Sequence, residues 1–148
     1  MEGIKNKKAF FNYEITEKYT AGVELLGYEV KSVKNGHGSL EGAYVIIRGG
    51  EAFLTGATIP PYQPGNTPEG YDPLRVRRLL LQKKELKELA EAGQTAGLTI
   101  VPLSMYNKGR YVKVDIAIGR GKKQFDKRES IKKRETDIDI RRTLKTKK

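Results

Sequence analysis

Between Phe10 and Tyr19 apolar and polar residues alternate, with Phe11, Tyr13 and Ile15 on one face and Asn12, Glu14 and Thr16 on the other. A period of two predicts a half-buried strand. Ala21–Leu26 predicts a second strand. In Tyr28–Lys34, Val30 and Val33 are three apart and Asn35-Gly36 follows, which predicts a short helix with a glycine stop. Ala43–Arg48 and Glu51–Thr58 flank Gly49-Gly50, a good two-residue hairpin turn. Leu79-Leu80-Leu81 is too short for its period to decide between helix and strand. Lys83–Ala92 places Leu86, Leu89 and Ala90 on one helical stripe, with Gly93 at its end. Leu98–Tyr106 and Arg110–Ile118 form a second hairpin across Asn107-Lys108-Gly109. The stretch Pro60–Pro73 holds five of the six prolines and predicts a long loop without regular structure. Together these predict a mainly β fold, an OB-like antiparallel barrel of about six strands with two or three short helices.

Charge divides the chain. Residues 120–148 carry thirteen Lys/Arg against five Asp/Glu, which is +8 of the net +11. Residues 1–119 form the barrel and can bury a proper core. The tail's few apolar side chains, Phe125, Ile131, Ile138, Ile140 and Leu144, cannot offset the entropy of ordering it. It is expected to be disordered when free. Residues 126–144 nonetheless lack proline and glycine, and Glu129–Lys133 and Asp137–Arg141 are spaced to support a helix. A polycation of this kind gains structure on a polyanion, and 20 helical residues reach ~30 Å, enough to thread a narrow RNA-lined channel.

Composition excludes much chemistry. There is no cysteine and one histidine, His37, so disulfides, Cys-based zinc sites and a Cys/His dyad are ruled out. His37 lies between glycines in an expected exposed turn. Gly119-Arg120-Gly121-Lys122-Lys123 lacks the full phosphate-loop pattern. No apolar run approaches the ~20 residues that span a bilayer, and Met1–Asn6 lacks the apolar core of a signal peptide. A soluble cytoplasmic protein without membrane, metal or cofactor is expected. Binding has more support: Lys5, Lys7 and Lys8, then Arg75, Arg77 and Arg78, then Lys108, Arg110 and Lys113 are interleaved with Tyr13, Tyr19, Tyr106 and Tyr111. Cations neutralise phosphates while tyrosines offer faces to bases and riboses.

The ordered segments Asn6-Lys7-Lys8-Ala9, Ala21-Gly22, Gly27-Tyr28-Glu29-Val30-Lys31-Ser32, Gly50-Glu51-Ala52-Phe53-Leu54 and Pro60-Pro61-Tyr62 continue with Arg77-Arg78-Leu79-Leu80-Leu81, Val101-Pro102-Leu103, Gly121-Lys122-Lys123 and Asp126-Lys127-Arg128. This series resembles the SsrA-binding protein family, also called small protein B, the bacterial partner of transfer-messenger RNA in trans-translation. The resemblance implies a barrel that grips the tRNA-like end of that RNA. It also implies a tail that becomes helical in the decoding centre and mRNA channel of a stalled ribosome, on the 16S rRNA of the small subunit. Elongation factor Tu would take part only indirectly. The protein would act as a monomer and perform no chemistry. RNA-contacting positions map to Asn6, Lys7, Tyr13, Leu80 and Lys113; Lys8 and Lys31, in the matched segments, join them. The tail signature maps to Gly121, Lys122, Lys123, Asp126, Lys127 and Arg128. Two residues depart from the family pattern: Thr20 stands where a glutamate linked to RNA binding is usual, and Phe125 where a histidine or tyrosine is common. Charge alone fits a second reading, a structural ribosomal protein with a basic extension. A barrel nuclease would need paired acidic metal ligands, and none is evident.

Overall fold

A computed structural model of the chain describes residues 3–62, 65 and 68–122. The strands are β1 (Gly3–Lys5), β2 (Tyr13–Val23), β3 (Tyr44–Arg48), β4 (Glu51–Thr55), β5 (Arg77–Leu80), β6 (Leu98–Lys108) and β7 (Tyr111–Gly121). The helices are α1 (Lys7–Asn12), α2 (Gly27–Lys34) and α3 (Lys83–Gly93). All pairings are antiparallel, in the order β6-β3-β4-β5-β2-β7, and β7 pairs back onto β6 to close the ring. β3 meets β6 only at Val45–Ile100, and β1 takes the same edge further along, at Ser104–Tyr106. The expected mainly β, OB-like barrel is therefore present, with six strands in the ring and β1 as a seventh outside it.

Several boundaries differ from the pattern reading. Phe10, Phe11 and Asn12 belong to α1, and the strand begins at Tyr13. Asn6 decides this: its amide donates to the Leu40 and Pro102 carbonyls, while its own carbonyl takes the Ala9 N–H. The chain then turns over the barrel's outer surface, burying Ala9 against Val101, Leu103 and Ala117. The two strands expected over 10–26 are one eleven-residue strand, β2, with a register shift between Ile15 and Glu17. The second hairpin turns at Gly109-Arg110, so β6 and β7 each run eleven residues. At the first hairpin Gly49 and Gly50 both have positive φ, 59° and 77°, as a primed two-residue turn requires. Leu79 and Leu80 resolve as strand because β5 is paired on both sides, by β2 and β4, and Leu81 follows just past its end. Alternation then buries Leu79 and exposes Leu80.

The core inside the ring includes Val45, Leu54, Leu79, Ile100, Met105, Val112, Val114 and Ile116. Leu89 on α3 and Val33 on α2 are wholly buried in it.

A buried ion network fixes one side of the barrel. The Glu29 carboxylate of α2 has no exposed surface. It accepts from the Arg75 guanidinium at 2.9 and 2.6 Å, from Arg77 at 3.2 and 2.8 Å, from the Leu26 N–H at 2.7 Å and from the Tyr71 hydroxyl at 2.8 Å. Arg77, also wholly buried, donates in addition to the carbonyls of Ala57 and Pro73. Burial by itself would raise the Glu29 pKa, but the bonds from Arg75, Leu26, Arg77 and Tyr71 outweigh it and hold it at about 2, below its usual 4.5. Burial and the bond to Glu29 push Tyr71 up to about 12. The network ties the proline-rich connection to α2 and β5. Because the folded pKa lies below the unfolded one, this stabilisation is complete above about pH 4.5 and is lost as pH falls toward 2. Glu29→Gln strands two guanidiniums and should cost about 3–5 kcal/mol. Urea midpoints measured from pH 6 to pH 2 should fall more steeply for the wild type than for this variant.

Candidate nucleic-acid interface

The register of the ring brings distant residues into rows on its outer face. Leu80 of β5 lies opposite Gly22 of β2, which lies opposite Lys113 of β7, then Tyr106 of β6 and Gly3 of β1. One step along, Thr20, Asp115, Ser104 and Lys5 form a parallel row. Within β7, Val112 and Val114 fill the core, so Tyr111, Lys113 and Asp115 point outward. Leu80 is 48% exposed and Tyr111 66%, unusual for such large side chains. At Gly3 a Cβ would stand 2.3 Å from the Met105 carbonyl oxygen, so only glycine lets β1 lie this close to β6.

Two cavities open on this face. One, of about 720 Å³, is walled by α1, β2, α3 and β7, with Lys7, Lys18, Phe10 and Asp115 among its lining. The other, of about 770 Å³, runs along β1 and β6 past Tyr106 and Lys108. Both are lined by Lys5, Lys7 and Ser104, so they form one trough with a basic rim. Burial, and then its bond to Asp115, raises the Tyr106 pKa, so its hydroxyl stays a donor.

The sequence-predicted residues do not all converge here. Lys7, Leu80 and Lys113 lie on this face or its rim, and half-buried Lys113 sits at its centre. Asn6 is buried, and its amide holds α1 in place beneath Lys7. Lys8 turns away, 3.0 Å from Glu41. That exposed pair contributes little and is screened by salt, which leaves Lys8 open to phosphate. Tyr13 is half-buried over Gly119 at the far end of the β2–β7 pair, about 26 Å from Lys113 by strand rise. Lys31 is exposed on α2, 6.0 Å above the Tyr62 ring. Gly121 is exposed opposite Tyr13, and Lys122 donates from its backbone to Asn12 and from its ammonium to the Phe10 carbonyl. Lys122, the last described residue, thus lies beside α1. Lys123, Asp126, Lys127, Arg128 and Phe125 lie outside the described residues.

One basic segment counted toward binding has another use. Arg75 and Arg77 hold Glu29, and Arg78 reaches Glu51 at 2.9 Å and Glu24 at 3.6 Å. Conversely, Lys18 and Phe10 enter the trough unannounced, with the Lys18 ammonium 5.8 Å from the Phe10 ring. Reading residues 10–12 as strand hid this, since only a helical turn there swings Phe10 toward Lys18. Among the described residues no helix is long and apolar enough to cross a membrane, and no group of three or more His, Asp or Glu gathers as for a metal.

The sequence profile of the SmpB protein family matches residues 3–146, nearly the whole chain. The chain belongs to the SmpB family. Among its relatives, the SsrA-binding protein of Mesoplasma florum is 51% identical over 132 residues, covering 89% of each chain. That of Microcystis aeruginosa is 47% identical over 95% of this chain and 91% of its own. A solved chain described as "tmRNA-SmpB: a journey to the center of the bacterial ribosome" is 38% identical, covers 99% of this chain with all of its own length, and superposes with a TM-score of 0.71.

In this SmpB-family chain, Lys113→Glu should weaken RNA binding roughly ten-fold or more, whereas Lys34→Glu, on the exposed end of α2, should change it by about two-fold. Titration by gel shift at two salt concentrations measures both. Each variant reverses one charge, so equal losses with equal salt slopes would mean that no local contact exists at Lys113.

Proposed function

We propose that this chain binds the tRNA-like domain of transfer-messenger RNA through the outer face of β1, β2, β5, β6 and β7 and delivers it to stalled ribosomes for trans-translation. The observation that carries the reading is likeness along the whole chain: relatives named SsrA-binding protein match at 45–51% identity over about nine-tenths of it or more. The solved neighbour, described with tmRNA and the bacterial ribosome, covers 99% of it. A structural ribosomal protein with a basic extension is not favoured by these relatives.

Labour is divided between the barrel and the tail. Residues 1–119 form the RNA-gripping body and residues 120–148 the basic tail, whose first two residues, Arg120 and Gly121, end strand β7. The tail, through Gly121, Lys122, Lys123, Asp126, Lys127 and Arg128, occupies the decoding centre and mRNA channel against 16S rRNA, in place of codon and anticodon. Elongation factor Tu is met only through the shared RNA. The protein acts in the cytoplasm as a monomer and carries out no catalysis; it supplies positioned charge and shape.

Replacing Asp126, Lys127 and Arg128 together with alanine tests this division in the full chain. Binding to transfer-messenger RNA should stay within about two-fold, since only one unit of net charge is lost, while tagging on codonless stalled ribosomes should stop. Normal tagging by the triple variant would remove the decoding-centre role from this motif.

A further inference from the structure

Asp115 is an anomaly in a face otherwise suited to phosphate. Its carboxylate lines the cavity that Lys5, Lys7 and Lys18 also line, with one further acid there, Glu85 of α3. A negative charge in such a place repels an RNA backbone. Yet among the described residues no lysine or arginine pairs with it. Its partners are three hydroxyls: Thr20 at 2.9 Å and Tyr106 at 2.8 Å donate to Oδ1, and Ser104 approaches Oδ2 at 3.4 Å. Hydroxyls orient a carboxylate without cancelling its charge. They come from the two strands that flank β7, Thr20 from β2 and Ser104 and Tyr106 from β6, so the group is held from both sides. The two short bonds fall on Oδ1, which leaves Oδ2, with one long contact, as the available acceptor.

An ionised carboxylate only accepts hydrogen bonds. In an RNA, the matching partner is a pair of donors set side by side on a base edge. Guanine presents N1–H and N2–H side by side on its Watson–Crick edge, and such edges are open to protein when the base is unpaired. The cavity is large enough, since small-ligand clefts span roughly 300–1,000 Å³. We propose that Asp115 reads an unpaired guanine of the bound RNA, with Thr20, Tyr106 and Ser104 as positioning residues and the surrounding lysines taking its phosphates. This rests on the function proposed above and adds a base-specific subsite to it.

The two views of Asp115 predict opposite signs. If it is only a stray charge, Asp115→Asn removes a repulsion and tightens binding to every RNA. If it reads guanine, the same variant weakens binding to the tRNA-like domain roughly ten-fold, while binding to an unrelated RNA of equal length stays equal or tightens. Kethoxal, which modifies unpaired guanines at N1 and N2, supplies a second readout. The wild-type chain should protect a guanine of the tRNA-like domain that Asp115→Asn leaves reactive. The footprint with wild-type protein alone decides the matter even if the variant fails to fold, because no protected guanine would overturn the proposal. Tight wild-type binding with tighter binding by Asp115→Asn to both RNAs would overturn it too and leave the proposed function standing. Failure of the wild type to bind the tRNA-like domain would overturn both.

Discussion

The register of β7 between β2 and β6 is the constraint on which the rest depends. Its ladder runs from Gly22–Lys113 to Tyr13–Gly121 on one side and from Lys108–Tyr111 to Leu98–Arg120 on the other. Side chains alternate along a strand, so a slip of one residue would turn Lys113 and Asp115 into the core and Val112 and Val114 out to solvent. The four valines and isoleucines that β7 gives the core, Val112, Val114, Ile116 and Ile118, therefore fix the outward face as firmly as the inward one. Each buried side chain of this size stabilises by about 1.5–3 kcal/mol relative to exposure. Core packing and the outward row of Tyr111, Lys113 and Asp115 are two consequences of the same alternation.

The second organising element is Glu29. It draws two of the chain's many cations into structure and leaves others for binding. Arg75 and Arg77 lie two apart on one short segment and both reach a single carboxylate; buried Arg77 is neutralised by Glu29, and Arg75, 31% exposed, keeps its excess charge at the solvent edge. Ser32, one turn further along α2, donates to the Pro60 carbonyl, so the same helix secures both ends of the described part of the connection. What remains for a polyanion on the described face is Lys5 of β1, Lys7 at the start of α1, Lys18 on β2, and Lys108, Arg110 and half-buried Lys113 around the last hairpin.

Much of the barrel was legible because stretches of its strands alternate, as β4 and β5 do along their length, and its hairpin turns carry glycine. Gly49-Gly50 marked one hairpin, and Leu86 and Leu89 marked the α3 stripe. The misreadings have a common cause, which is that long-range contacts override local pattern. Phe10 to Asn12 alternate as a strand would, but the Asn6 amide, bonded to Leu40 and Pro102 far along the chain, starts a helix there. The pattern divides between Tyr19 and Ala21 into two strands, yet β2 passes straight through Thr20 because Tyr19, Thr20 and Ala21 pair in unbroken register with Ile116, Asp115 and Val114. The candidate site was visible as residue types but not as a place. Lys113 and Leu80 become neighbours only through Gly22, while Tyr13, named with them, lies at the other end of the same strand. Nothing in the spacing of Arg75 and Arg77 distinguished cations bound for Glu29 from cations facing solvent.

Hydroxyl-radical footprinting of the full chain, free and with the tRNA-like domain of transfer-messenger RNA, tests the assignment of the binding face most directly. Leu80, Tyr111 and Phe10 are large and exposed on or beside that face, whereas Tyr44 of β3 and Leu74 of the long connection are as exposed elsewhere. The outer face of β5, β2, β7 and β6 as the binding surface requires Leu80, Tyr111 and Phe10 to lose reactivity in the complex while Tyr44 and Leu74 keep theirs. Protection of Tyr44 and Leu74, with Leu80 and Tyr111 oxidised as in the free protein, would place the RNA on another side of the barrel.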